Sequence, residues 1–237
     1  MDQPCILITG AGQRIGLAAA KHFIAQGFKV IASFRTHRPA IDELESQGVF
    51  CLKADFSTDE GIASFISEVE SLNPPLRAII HNASDWNAEK NTDQPAELMN
   101  EMMQVHAKAP YLINLGLSSK LDRTGKASVD IIHMTDYVVQ KGSHKHLAYA
   151  ASKAALDNLT LSFAQQLAPD VKVNSIAPAL IMFNEWDDDN YKKKALAKSL
   201  LEVAPGAEEV VKAISYLLES NYMTGQTLRL DGGRALK

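Results

Sequence analysis

Cysteine is nearly absent from this chain of 237 residues, which holds two, Cys5 and Cys51. Both fall in apolar runs read as the first and third strands of a sheet. In a 3-2-1 strand order they stand two spacings of about 4.8 Å each apart, too far for a disulfide, so both are expected as buried thiols. Neither sits in a metal-ligand spacing, and no metal is expected. Charge of one sign is lacking too: 24 Lys and Arg against 28 Asp and Glu leave a net charge of -4, with no basic field for nucleic acid. The adjoining runs Asp187-Asp188-Asp189 and Lys192-Lys193-Lys194 largely cancel and are read as solvated surface. No apolar stretch approaches the roughly 20 residues of a membrane span. The first residues, with Asp2 and Gln3, show neither the basic region nor the long apolar core of a signal peptide, so a cytoplasmic protein with no membrane partner is expected. His144 and His146, flanking Lys145, are read as mobile surface rather than as a metal site.

Repeats and low-complexity segments are missing as well. What remains is a regular alternation of short β-rich runs, near 4–9, 28–34, 49–53, 76–81, 128–135, 171–176 and 226–230, with helical patterns between them. Such alternation predicts a single α/β domain over residues 1–237: a Rossmann-like, doubly wound parallel sheet of about seven strands with helices on both faces. A helix from about Tyr149 to Leu167 carries Leu156, Leu159, Phe163 and Leu167 at helical spacing, a stripe suited to the core or to a subunit interface.

Two local patterns carry chemistry. The apolar run Cys5 to Ile8 leads into Thr9-Gly10-Ala-Gly12-Gln-Arg14-Ile15-Gly16 and then an amphipathic stretch, which reads as strand, glycine turn and helix, the arrangement that receives a pyrophosphate. Tyr149 and Lys153 are one helical turn apart, so the ammonium can approach the phenol and lower its pKa, making a proton donor at neutral pH. Asp136 stands thirteen residues before the tyrosine.

In this order the residues resemble the short-chain dehydrogenase/reductase family, in which a T-G-x-x-x-G-x-G turn precedes a Y-x-x-x-K pair. Further matches are His81-Asn82-Ala83-Ser84 after the fourth strand, Val173 to Pro178 at the sixth, and Asp231-Gly232-Gly233 near the end. The chain departs from the family at three positions: Arg14 for glycine, Asp136 for serine and His106 for asparagine. The first two, with Trp86, resemble the pteridine reductases of that family. The runs Ile131 to Tyr137, Tyr149 to Asp157 and Phe183 to Glu185 resemble the bacterial dihydromonapterin reductases among them. At His106 an imidazole could hold a proton-relay water or simply pack.

The resemblance implies NADPH as cofactor, bound by Gly10, Gly12, Arg14, Ile15, Gly16, Asn82, Ala83, Ser84, Lys153 and Pro178, with Asp55 at the adenine. Asp55 also reads as a helix N-cap. The residues themselves argue for the phosphorylated dinucleotide, because Arg35 and Thr36 follow the second strand where an acidic residue would favour a free ribose hydroxyl. Arg14 completes a positive pocket in this reading, or reaches the substrate. For the substrate, Trp86 offers an aromatic roof and Asp136 an acceptor for the N–H groups of a pterin, with Arg14, Ser84 and Tyr149 around them and the loop from Met182 to Trp186 as a lid. Trp86 also reads as an apolar cap. The implied reaction reduces a 7,8-dihydropterin, with Tyr149, Lys153 and Asp136 or a bound water delivering the proton. Other readings are a carbonyl or 3-oxoacyl reductase and, from another class, a non-catalytic NADPH-binding regulator. The family further implies a homodimer or homotetramer.

Overall fold

The computed structural model describes residues 3–121 and 129–237; Asp2 and Ser128, the first residue of the expected fifth strand, lie outside them. Seven strands form one parallel sheet: β1 (Cys5–Thr9), β2 (Lys29–Phe34), β3 (Phe50–Lys53), β4 (Leu76–His81), β5 (Val129–Met134), β6 (Val171–Pro178) and β7 (Thr227–Leu230). Their order is β3-β2-β1-β4-β5-β6-β7. Each lies within two residues of its expected bounds, because a strand covered on both faces reads as a short, unbroken apolar run.

Helices connect the strands: α1 (Arg14–Ala25), α2 (Pro39–Ser46), α3 (Asp59–Leu72), α4 (Pro95–Met103), α5 (Ala109–Leu117), α6 (Val138–Lys141), α7 (Leu147–Leu167), α8 (Asp189–Leu196) and α9 (Ala207–Glu219). Side-chain alternation divides the core between the two faces of the sheet. From β1, Ile6 and Ile8 pack with Phe23, Val210 and Ile214 under α1 and α9. Cys5 and Leu7 pack with Ile62, Phe65, Ile113 and Phe163 under α3, α5 and α7. Each fully buried aliphatic side chain of this kind contributes about 1.5–3 kcal/mol. Leu156 and Phe163 are buried, and Leu159 and Leu167 pack against the second cluster, so the α7 stripe belongs to the core.

Local chemistry sets the helix ends. Thr58 accepts the Gly61 N–H at the start of α3, with Asp59 and Glu60 in its first turn, and Asp188 accepts the Tyr191 N–H at the start of α8. Two of the three aspartates in the acidic run therefore have structural work, since Asp187 also accepts the Asn184 N–H at 2.7 Å. Between α4 and α5 the chain widens into a π-helical turn, Gln104–Lys108, which turns His106 into the interior. Cys5 and Cys51 are free thiols on strands separated by β2; Cys5 is buried, whereas Cys51 is only half-buried. Among the described residues no helix is long and apolar enough to cross a membrane.

The chain leaves β1 toward β2 on one side and later returns to β4 on the other, so the direction of winding reverses between β1 and β4. Crevices in doubly wound sheets open there, at the C-terminal ends of the strands.

Candidate active site

A cleft of about 1010 Å³ lies at that reversal, lined by the glycine turn, the ends of β2 and β4, Tyr149 and the segment from Met182 to Trp186. Gly10 adopts φ +70, and a Cβ there would come within 2.7 Å of the Ala83 backbone. The turn is fastened to the loop after β4. Thr9 Oγ1 accepts the N–H groups of Asn82 and Ala83, each at 3.0 Å, and Asn82 Nδ2 donates to the carbonyls of Thr9 and Gly10. Asn82 thus shapes the cleft through its backbone partners. Gln13 begins α1 without a side-chain cap, so no side chain covers the helix N-terminus at the cleft.

Arg14 occupies the left-handed region at φ +53, where its family resemblance calls for glycine. Such a conformation costs a non-glycine residue roughly 1–2 kcal/mol. Its guanidinium donates to Asn184 Oδ1 at 2.7 Å and to the Met182 carbonyl at 3.2 Å. Arg14 therefore ties the glycine turn to the segment from Met182 to Trp186, and it lines the same cleft as Arg35.

At the other end, Arg35, Thr36 and Arg38 follow β2. The sequence reading placed no carboxylate here, and the structure corrects it: Arg35 pairs with Asp85 at 2.6 Å. The correction arises because Asp85 follows a different strand and is brought over by the sheet order. Asp55 lines the same end, and the Ser57 N–H it accepts at 3.0 Å holds its carboxyl below the usual range. It does not cap α3, a role Thr58 fills.

Tyr149 and Lys153 share a face of α7, with the ammonium 5.7 Å from the ring centroid. The expected lowering of the phenol pKa is not what this environment produces. Burial first, then the Asp136 charge and hydrogen bond, raise Tyr149 well above its ordinary value. Its hydroxyl donates to Asp136 Oδ2 at 2.9 Å, while Lys153 Nζ donates to the Met134 carbonyl at 2.9 Å. Burial lowers Lys153 to about 8, and it raises Asp136 despite the Val138 N–H and Tyr149 hydroxyl that its carboxylate accepts. Asp136 stands behind Tyr149 and does not line the large cleft. A residue overlooked in the sequence, Arg234, stacks 4.4 Å over the Tyr137 ring and adds positive charge near Asp136. It directly follows the Asp231-Gly232-Gly233 turn, which was the available signal. Gly16, Lys153 and Pro178 likewise stand off the cleft wall, whereas Gly10, Gly12, Arg14, Ile15, Asn82, Ala83 and Ser84 line it.

His106 is 1% exposed, and its partners fix its state. Nε2 accepts the Asp85 N–H at 3.1 Å and lies 2.9 Å from Ser84 Oγ; Nδ1 lies 2.8 Å from Ser152 Oγ, which donates to the Tyr149 carbonyl. This network requires a neutral ring with its proton on Nδ1, and burial pushes the pKa down to about 2. Both nitrogens are engaged by protein, so His106 braces the loop after β4 and holds no relay water. Trp86 is 59% exposed and its ring lies tilted at 45° against His146, with centroids 4.7 Å apart, so His146 is packed rather than loose. No cluster of metal-binding groups occurs among the described residues.

The geometry fits a dinucleotide: a tight glycine turn, an uncapped helix N-terminus, cations beyond β2 and a half-buried tyrosine backed by a buried lysine. Comparison with known proteins agrees. A family model described as enoyl-(acyl carrier protein) reductase matches residues 10–235. Dihydromonapterin reductase from Klebsiella pneumoniae is 58% identical over 232 residues, covering 98% of this chain and 97% of that protein. The dihydromonapterin reductase of Escherichia coli K12 is 57% identical over 232 residues, with 98% and 97% covered. Among solved structures, alternative dihydrofolate reductase 1 from Brucella canis, complexed with NADP, gives a TM-score of 0.87 at 26% identity, covering 99% of this chain and 94% of its own. A 4-hydroxyisoleucine dehydrogenase complexed with NADH gives 0.88 at 22% identity and 99% of both chains, a likeness of fold.

Proposed function

Because the chain belongs to the short-chain dehydrogenase/reductase family, we propose that it reduces 7,8-dihydropterins with NADPH, dihydromonapterin foremost and dihydrofolate more weakly. The observation that carries the substrate assignment is the carboxylate of Asp136 held against the Tyr149 hydroxyl at 2.9 Å. A carboxylate there takes the hydroxyl of Tyr149 from behind and fixes the phenol at the cleft wall, whereas the serine of the wider family offers a small hydroxyl suited to a carbonyl oxygen.

In this reading the N-terminus of α1 and the backbone of Gly10, Gly12 and Ile15 hold the pyrophosphate, and Arg35 and Thr36 hold the ribose phosphate. Asp55 meets the adenine end. When bound, the dinucleotide supplies the two electrons that reduce the ring carbon. Tyr149 keeps its proton at neutral pH because its pKa is raised, and that proton, which Asp136 Oδ2 accepts in this structure, is the one a turn of the hydroxyl would present to the pterin nitrogen. Asp136 and the His106 brace on the Tyr149 carbonyl, relayed by Ser152, hold that donor in place. Lys153 supplies positive charge one turn away. Trp86, Phe183 and Trp186 enclose a flat ring, and Arg14 holds the lid segment through Met182 and Asn184. The identity of 58% over nearly the full length to a dihydromonapterin reductase supports an enzyme over a non-catalytic regulator.

We place the protein in the cytoplasm, in keeping with its bacterial metabolic relatives, and as a homodimer or homotetramer, as the family resemblance implies. The deciding measurement is NADPH oxidation with dihydromonapterin, dihydrobiopterin, dihydrofolate and a simple diketone. The dihydropterins should be reduced with higher kcat/KM than the diketone; the reverse order would make this a carbonyl reductase.

A further inference from the structure

Strands β2 and β4 flank β1, so residues beyond their ends face each other across the glycine turn at a separation of roughly two strand spacings, about 9–10 Å. Arg35 follows β2 and Asp85 follows β4, and their side chains close that gap at 2.6 Å. Both line the cleft. The two partners are not equally free. The Asp85 carboxylate is anchored, because Oδ1 accepts the Trp86 N–H at 2.9 Å and the Asp85 N–H is held by His106 at 3.1 Å, leaving Oδ2 for the guanidinium. Arg35 is a long side chain, 55% exposed, with Asp85 as its hydrogen-bond partner.

From this we infer that Asp85 is a cofactor-specificity residue: its carboxylate occupies Arg35 as an internal substitute for the cofactor's 2′-phosphate, which must displace it to bind. The inference rests on the assignment of Arg35 to that phosphate. A dianionic phosphate with three acceptor oxygens outcompetes one carboxylate for a guanidinium. Asp85 is pinned by its backbone and stays close, so it weakens phosphate binding twice, through prior occupation of Arg35 and through like-charge repulsion. A dinucleotide with a free ribose hydroxyl meets neither opposition. The pair thus compresses the preference for the phosphorylated cofactor below what Arg35 alone would give, and favours release of a cofactor that carries the phosphate.

The test measures dissociation constants of 2′,5′-ADP and 5′-AMP, by calorimetry, for the full chain and for Asp85→Asn. Asparagine keeps an oxygen for the Trp86 N–H and removes the charge, so the loop should be preserved. An exposed ion pair biases an equilibrium by up to about fivefold, so Asp85→Asn should bind 2′,5′-ADP roughly two- to fivefold more tightly, with 5′-AMP changed less than about 1.5-fold. Arg35→Gln combined with Asp85→Asn should lose most of that gain relative to Arg35→Gln alone. Weaker binding of both ligands, or a gain that persists without Arg35, would overturn the inference by assigning the effect to loop structure or to bulk charge. No change in 2′,5′-ADP binding would also overturn it, yet leave Arg35 as the phosphate contact if the unmutated protein still prefers 2′,5′-ADP. Equal binding of the two ligands by the unmutated protein would remove the Arg35 assignment itself.

Discussion

Helix α7 contributes to two buried histidine networks, and they terminate differently. In the first, His81 Nε2 donates to Asn114 Oδ1, Asn114 Nδ2 donates to His133 Nε2, His133 Nδ1 donates to Thr160 Oγ1, and Thr160 donates to the Leu156 carbonyl. Every link runs in one direction, and the chain stops on backbone inside the protein. In the second, His106 joins Ser152 and the Tyr149 carbonyl on one side to Ser84 and Asp85 on the other, and the chain ends at the exposed Arg35. The histidines are alike in burial, but the first network stays among buried groups while the second runs out through exposed Ser84 and half-buried Asp85. The terminus separates a network that fills the core from one that positions a site, so burial of a histidine is by itself no guide to its role.

That contrast can be broken by removing one member of each network. Asn114→Ala strands the His81 N–H and the His133 Nε2 acceptor in the core. Unsatisfied buried groups cost about 1–3 kcal/mol each, so chemical denaturation should show a loss of about 2–5 kcal/mol while the folded fraction retains its kcat. A fall in kcat at unchanged stability would show the closed network to be coupled to the site.

Tyr149→Phe tests the open end. Its kcat on a dihydropterin should fall about a hundredfold or more, the usual worth of general-acid help, with little change in NADPH affinity. Lys153→Met should lower kcat similarly and also raise the cofactor Kd. Full activity in the phenylalanine variant would assign the proton to water.

Acid sharpens the comparison, because both networks need neutral rings. Burial lowers His81 to about 4 and His106 to about 2. The unfolded chain, with histidines near 6.5, therefore takes up protons first. Stability is full above pH 6.5 and declines as pH falls from there toward 4, by on the order of 3 kcal/mol for His81 alone. Denaturation midpoints across that window would measure it, and His81→Gln should flatten the slope. A slope unchanged by that substitution would mean that His81 is not held neutral.

Asp136→Ser carries the smallest expected effect. Leaving the Tyr149 hydroxyl poorly paired should cost about 1–3 kcal/mol, or ten- to a hundredfold in kcat/KM, with diketone reduction held or improved. An unchanged ratio of the two kcat/KM values would return the site to general carbonyl chemistry.

Much of the site was legible before the fold. The glycine turn, Arg35, Trp86 and Tyr149, which line the cleft, announce themselves through residue type at fixed offsets, whereas Asp136 and Lys153, equally legible, stand off it. The errors came where distant segments meet. Helical spacing places Lys153 near Tyr149, but it does not reveal that Asp136 and burial hold the phenol proton, or that Met134 takes the lysine. The absence of an acid beside Arg35 along the chain did not exclude one across the sheet, fifty residues on.

The sequence by itself determined the seven parallel strands, the glycine turn and the residue types gathered around it, because strand patterning, turn chemistry and helical spacing are local properties of the chain. Tertiary structure alone decided the charge states and pairings: which carboxylate meets Arg35, that Arg14 bonds Asn184 and Met182, and that His106 is a neutral brace. Those depend on sheet order and desolvation, through distances between segments that no local pattern encodes.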